Sequence, residues 1–395
     1  LVFDLGYPLQ ALYLNFIGGV EPNHFLAIPL FIVAGELMSR GGVGLRIIGF
    51  ARAAFGFMPG GLGMVVVGAS MIFGGISGSA IADSAAIGSV MIKNMAREGY
   101  NKAFAAGLVA AAGTIGIIIP PSIPMLIYGF VGNVSVADLF LAGMVPGIMF
   151  GVAFMAVCYY VGKSTGCDPG GRTTTRAELW SSFVGTAPAL FMPILILGGI
   201  FSGWVTPTEA AALAVVYGLV VTIFIYRDFR IRDLPQLMID AFVTSATVMV
   251  VIGATTVLGW LITLEQMPQV LVGFVQDLSS SPWVFLILVN LVLLVLGLVL
   301  DPVPAILLTA PLFLPTAQAF GIDPVHLGVI MTCNVAVGLF TPPVGATLYV
   351  ASRISGVGVL SIARRMGMLY FAAICALLLV TYVPAVSMTM VHLFR

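Results

Sequence analysis

Apolar stretches of about 20 residues, the length a bilayer core asks of a helix, recur along nearly the whole chain. In lipid the backbone must satisfy its own hydrogen bonds, and runs of this length make the chain a polytopic helical membrane protein. Composition agrees: 60% of the 395 residues are hydrophobic, 8% are charged, and the mean hydropathy is +1.13. The longest hydrophilic connection, "GKSTGCDPGGRTTTRAEL" (Gly162 to Leu179), is a loop and not a domain. Cys158, Cys167, Cys333 and Cys375 lack CxxC or metal-ligand spacing and read as packing residues. The sequence starts at Leu1 without a visible signal peptide, so the natural chain is expected to begin earlier. No nucleic-acid partner is expected; the lipid bilayer is.

The chain repeats itself. At an offset of 222 residues Gly75 meets Gly297, Gly99 meets Gly321, Gly116 meets Gly338, and Pro120–Pro121 meets Pro342–Pro343. Charge shows that the copies are inverted. The loop with Lys93, Arg97 and Lys102 matches "PTAQAFGIDP" (315–324), and the segment with Arg40, Arg46 and Arg52 matches "ITLEQMPQVLVGF" (262–274); neither match contains a base. Cytoplasmic loops carry the excess of Lys and Arg, so equivalent loops lie on opposite sides. Inverted repeats are common in secondary transporters, with the site at the repeat interface near the midplane.

Traced this way, 25–39 runs inward, 57–92 leaves the cytoplasm and returns, and 102–131 crosses outward with a break at Pro120–Pro121. Residues 139–162 return to Lys163, Arg172 and Arg176, 183–201 go out, and 208–226 come back. Then 242–262 go out, 279–314 start and end outside, 324–352 run inward, and 366–386 go out. All but one of the 16 basic residues, Arg395, fall on the cytoplasmic side. The stretch "MIFGGISGSAIADSAAIGSVM" (Met71 to Met91) has its glycines and serines mid-segment, as "GLVLDPVPAI" (Gly297 to Ile306) has Asp301. Irregular backbone at membrane depth survives only where it lines a protein cavity. A carboxylate there costs about 2.5–3.5 kcal/mol on insertion scales. Both segments are therefore expected to be re-entrant hairpins.

The motifs "GGISGSAIADSAAIGSVMI", "GTIGIIIPPSIPMLIYG", "WVTPTEAAALAVVYGL" and "GLFTPPVGATLYV" resemble the large membrane subunit (DctM-like) of tripartite ATP-independent periplasmic (TRAP) transporters, in order and over nearly the whole chain. The resemblance implies an all-α, inverted-repeat, elevator-type secondary transporter with two re-entrant hairpins and two Pro-broken helices, driven by sodium. It implies two partners, a small membrane subunit of few helices and a periplasmic substrate-binding protein that delivers an organic acid, in a bacterial or archaeal inner membrane. On that pattern 1–56 is first-half scaffold with an amphipathic arm, and 57–138 a transport-domain half. Residues 139–278 are scaffold, 279–353 the other transport-domain half, and 354–395 a C-terminal scaffold helix. One departure is visible: helix 208–226 opens the second half, and its counterpart falls at negative numbers.

The candidate sites follow from the breaks and tips. Proline cannot donate to the carbonyl four residues back, so Pro120 and Pro121 free Gly116 and Ile117, and Pro342 and Pro343 free Gly338 and Leu339. Hard cations take oxygen ligands. The resemblance likewise points to one sodium per repeat: Ser77, Ser79, Gly116, Ile119 and Pro121 in the first, and Leu300, Asp301, Gly338, Thr341 and Pro343 in the second. Ser79, Asp83, Ser122, Tyr128, Thr341 and Thr347 are the substrate candidates. With no base in any span, an acid is expected to be held by N–H groups, hydroxyls, half-helix ends and bound sodium. Helix capping by the same Ser and Asp residues is the bland reading. Thr206 to Glu209 reads as a capping box, and 43–56 as an amphipathic surface helix presenting Leu45, Ile48 and Phe55. "GISG" fits a serine-hydrolase pattern, but His24, His326 and His392 are expected near the outer surface, beyond reach as bases. There is no GxxxxGK[ST] motif and no enzyme is expected. Two rivals remain: a proton-coupled anion carrier without a binding protein, working through Asp83 or Asp301, and an ion channel.

Overall fold

The computed structural model describes residues 9–21, 23–40, 42–168, 170, 174–278 and 281–395, without the side chains of Asn23, His24 and Leu278. Arg172 and the His24 side chain, both placed by the topology above, lie outside this set, as do the first residues of segments 1–56 and 279–353. Among the described residues all regular structure is helical.

The first repeat runs through α1 (Leu9–Val20), α2 (Ala27–Arg40) and α3 (Val43–Phe55). A hairpin follows, α4 (Gly61–Ser77) and α5 (Ala80–Arg97). Next comes the broken crossing: α6 (Lys102–Gly113), a 3-10 turn at Thr114–Ile117, and α7 (Ile123–Gly132). α8 (Val136–Thr165) and α9 (Arg176–Phe201) complete the half. The second half has α10 (Pro207–Leu219), α11 (Leu234–Leu264), α12 (Met267–Leu278), the hairpin α13 (Pro282–Gly297) and α14 (Pro302–Ala319), and the broken crossing α15 (Pro324–Gly338) and α16 (Ala346–Ser355). α17 (Val359–Ala363), α18 (Gly367–Tyr382) and α19 (Pro384–Phe394) end the chain.

The repeat extends to helix ends. Moving α5 by 222 residues gives the bounds of α14. Asn101 caps α6 by accepting from Ala103 and Phe104 N–H at 2.9 and 3.3 Å; its counterpart Asp323 caps α15 from Val325 and His326 at 2.7 and 3.4 Å. Such caps satisfy N–H groups that a helix start leaves without partners. Gly99 and Gly321 both turn with positive φ, 90° and 71°. Both Pro-Pro bonds are cis.

Packing corrects the register at the hairpins. A Cβ on Gly74 would lie 2.3 Å from Gly116 Cα, and one on Gly338 would lie 2.6 Å from Gly297 Cα. Gly297 thus has its packing counterpart in Gly74, not Gly75, whose Cβ would meet only ordinary contacts from 3.6 Å. The first tip is one residue longer because Gly78 adds a left-handed turn, φ 60°.

Three further expectations change. On α3 the face packed inward is Val43, Gly44, Ile47, Ile48 and Ala51, while Leu45 points out and is 62% exposed. The outward crossing 366–386 is two helices, α18 and α19, bent by 58° at Pro384. His326 is buried, not superficial. Its Nδ1 sits 2.7 Å from Ser387 Oγ and its Nε2 3.3 Å from the Thr381 carbonyl. The box at Thr206 forms as read: Thr206 N–H donates to Glu209 Oε2 at 2.7 Å, and Glu209 N–H to Thr206 Oγ1 at 3.3 Å. Arg40 of α2 pairs with Asp240 of α11, and Arg46 of α3 with Asp228 in the loop between α10 and α11, each at 2.5 Å.

Candidate functional site

The two tips share one cavity. Each hairpin starts and ends on its own side, so tips that meet must stop inside the membrane. A cavity of about 210 Å³ is lined by Ser77–Ala82 of the first tip and Asp301–Val303 of the second. Ile117, Ile123 and Pro124 beside the first break, and Leu339 beside the second, complete its inner wall. The outer wall is Ile32, Gly35 and Glu36 of α2 with Thr244 and Val248 of α11.

At the first tip α4 ends in Ser77, Gly78 turns, and Ser79 caps α5 through a 3.4 Å hydrogen bond from Ala82 N–H. A Cβ on Gly78 would also meet Pro121 O at 2.9 Å, so this glycine is needed for conformation and for close approach to the break. Ser77 Oγ accepts from Ser79 N–H at 3.1 Å and donates to Asp83 Oδ1. Asp83 lies behind the tip and not on the cavity wall: it is buried, and Oδ2 has no hydrogen-bond partner. That oxygen fills the notch left by Gly116, where a Cβ would come within 2.0 Å of it. A buried ionised carboxylate with one hydroxyl donor is costly unless a cation or a proton neutralises it.

At the second tip Asp301 stands at the cap position of α14, yet its side chain caps nothing. Leu300 N–H closes the preceding turn on Leu296 O at 2.8 Å, and Val344 N–H beyond the break donates to Leu298 O at 3.2 Å. Tip and break are thereby joined.

The other candidates are spread around these tips. The hydroxyls proposed for substrate are committed to the helix breaks instead. Ser122 Oγ donates to Ile117 O at 2.5 Å, Thr347 Oγ1 to Leu339 O at 2.9 Å, and Thr341 Oγ1 to Val337 O at 2.6 Å. Tyr128 Oη reaches away, to Pro324 O at 2.8 Å. Of the substrate candidates Ser79 alone lines the cavity. The freed carbonyls are partly used: Leu339 O takes both Thr347 Oγ1 and Thr347 N–H, the latter at 3.2 Å, while Ile117 O takes Ser122 Oγ and Gly338 O takes Thr341 N–H at 2.9 Å, these two keeping a second lone pair. Ile119 faces a separate crevice with Gly75, Pro120 and Pro193. Pro121 borders Gly78, while Pro343 is exposed. Sequence reasoning missed the outer wall, Ile32, Gly35, Glu36, Thr244 and Val248. The only signal was a glutamate inside the apolar "IPLFIVAGELM".

A family profile described as "Tripartite ATP-independent periplasmic transporter, DctM component" matches residues 2–386. The C4-dicarboxylate TRAP transporter large permease protein DctM of Pseudomonas aeruginosa is 42% identical over 94% of this chain and 86% of its own. The sialic acid TRAP transporter large permease protein SiaM of Vibrio cholerae is 38% identical over 96% and 88%. Among solved structures, Neisseria gonorrhoeae MtrF superimposes with a TM-score of 0.63 over 94% of this chain and 83% of its own, at 14% identity, a likeness of fold alone. With an inverted-repeat membrane fold, two tips meeting at two broken helices, and this match over nearly its whole length, the chain belongs to the DctM family of tripartite ATP-independent periplasmic transporters.

Proposed function

We propose that this chain is the large membrane subunit of a sodium-coupled carrier that takes up a small organic acid across a bacterial or archaeal inner membrane. The observation that carries the reading is the cavity on which both tips and both breaks converge. Relatives named for C4-dicarboxylates and for sialic acid support a carboxylate as the solute. A periplasmic binding protein and a small membrane subunit are the two further components of a tripartite system. Segments 57–138 and 279–353 carry the tips and move as an elevator. Segments 1–56, 139–278 and 354–395 form the scaffold. The relatives are permeases, and no covalent chemistry is assigned to this chain.

Each sodium sits between a tip and its break, sodium 1 with Ser77, Ser79 and the carbonyls around Gly116, sodium 2 with Asp301 and those around Gly338. Asp301, which spends no oxygen on capping, supports the second assignment. A proton in place of sodium is the second reading, and it has its own support in the partnerless Oδ2 of Asp83.

The test is sodium-dependent uptake by Ser79→Ala and Asp301→Asn in proteoliposomes with the binding protein, beside thermal stability in detergent. Both variants should need more sodium for half-maximal uptake. Loss of about 0.5–2 kcal/mol of stability at Ser79, with sodium dependence unchanged in both variants, would reduce the tips to helix caps.

A further inference from the structure

The cavity between the tips has a charge pattern at odds with an acidic solute. Its lining offers two carboxylates, Glu36 and Asp301, and neither lysine nor arginine. Asp301 rides on a hairpin tip. Glu36 belongs to α2, one turn before the Arg40 that ends the helix. Gly35 holds this wall against the first tip, since a Cβ there would come within 2.9 Å of Ser77 O.

Glu36 is only half neutralised. Its Oε2 lies 3.4 Å from Arg40 Nε, but Arg40 Nη2 is given to Asp240 of α11 at 2.5 Å. The other oxygen of Asp240 accepts from Gln236 Nε2 at 2.9 Å, which fixes Asp240 in its competing place. Two carboxylates therefore share one guanidinium, and the one with the poorer share faces the cavity.

We infer that Glu36 is a specificity-determining residue that repels the anionic substrate from the scaffold side and so drives its release. The inference rests on the organic-anion reading above. While sodium occupies the tips, its charge outweighs the cavity's carboxylates and an anion is held against the repulsion that remains. Once sodium departs, Glu36 and Asp301 face the anion with only the shared Arg40 guanidinium to offset them, and it leaves past the cytoplasmic end of α2. Arg40 sets the strength of the repulsion, and Asp240 limits how far Arg40 can quench it.

Opposite changes at one ion pair provide the test. Binding of radiolabelled succinate and of N-acetylneuraminate is measured on the purified membrane complex at saturating sodium, so that altered sodium affinity does not enter. Glu36→Gln removes the repelling charge and should tighten the anion that binds by about threefold or more. Arg40→Gln leaves Glu36 uncompensated and should weaken it by a similar factor. A merely structural pair would shift both variants in the same direction; that result, or no shift in either, overturns the inference. A wild type that binds neither anion in saturating sodium while sodium-dependent uptake of another solute is absent would overturn the functional reading, and this inference with it.

Discussion

Gly116→Ala is expected to be among the most damaging single substitutions in the chain. The new methyl would lie 2.0 Å from Asp83 Oδ2 and 3.0 Å from Gly74 Cα. Neither neighbour can yield cheaply. Gly74 is backbone in the last turn of α4, and Asp83 is buried with its other oxygen held by Ser77. Overpacking of this kind costs about 1–3 kcal/mol, sometimes more, and here it also drives a carboxylate out of its notch. Uptake should fall to background, and the melting temperature in detergent should drop. Gly338→Ala should behave alike, because its Cβ would meet Gly297 Cα at 2.6 Å. Gly75→Ala, with nothing nearer than 3.6 Å, should be tolerated. A Gly116→Ala protein with normal melting and uptake would remove the glycine crossing from the account.

Asp83→Asn should have the second large effect. The amide nearly matches the carboxylate in shape and can still accept from Ser77, so the hairpin should fold. The negative charge that a buried cation would answer is gone. Removing one member of a buried charge pair typically costs 3–5 kcal/mol, although an ion held by several other oxygens should lose less. The sodium needed for half-maximal uptake is expected to rise by about tenfold or more, since 1.36 kcal/mol is a factor of ten. Uptake that keeps its sodium dependence but loses its dependence on pH would assign the site to a proton, because asparagine imitates the protonated acid. The measurement is initial uptake against sodium at several pH values, with melting temperature as the control for folding.

Much of this architecture was legible because lipid leaves the backbone few options. Apolar runs forced helices, the Pro-Pro pairs marked the two breaks, and the side-to-side asymmetry in Lys and Arg showed that the repeats are inverted. What the sequence did not show was which way side chains turn. Ser122, Thr341 and Thr347 are hydroxyls beside breaks, the right chemistry for a substrate, but a break also creates carbonyls that need donors, and those claims were met first. The register slip between Gly74 and Gly75 came from one left-handed residue, Gly78, which an ungapped comparison cannot register. Thr244 was invisible as a site residue, and Glu36 showed only as a carboxylate in an apolar run, because both come from helices outside the hairpins and reach the cavity only through tertiary packing.

The most direct measurement is uptake of a radiolabelled organic acid into proteoliposomes holding the complete transporter, with the loaded binding protein outside and one ion gradient imposed at a time. An inward sodium gradient should drive accumulation, the rate should rise sigmoidally with sodium because each repeat offers a site, and collapsing the proton gradient should leave uptake intact. Accumulation driven equally well by a proton gradient in sodium-free buffer would contradict the account and move coupling to the carboxylates of Asp83 and Asp301.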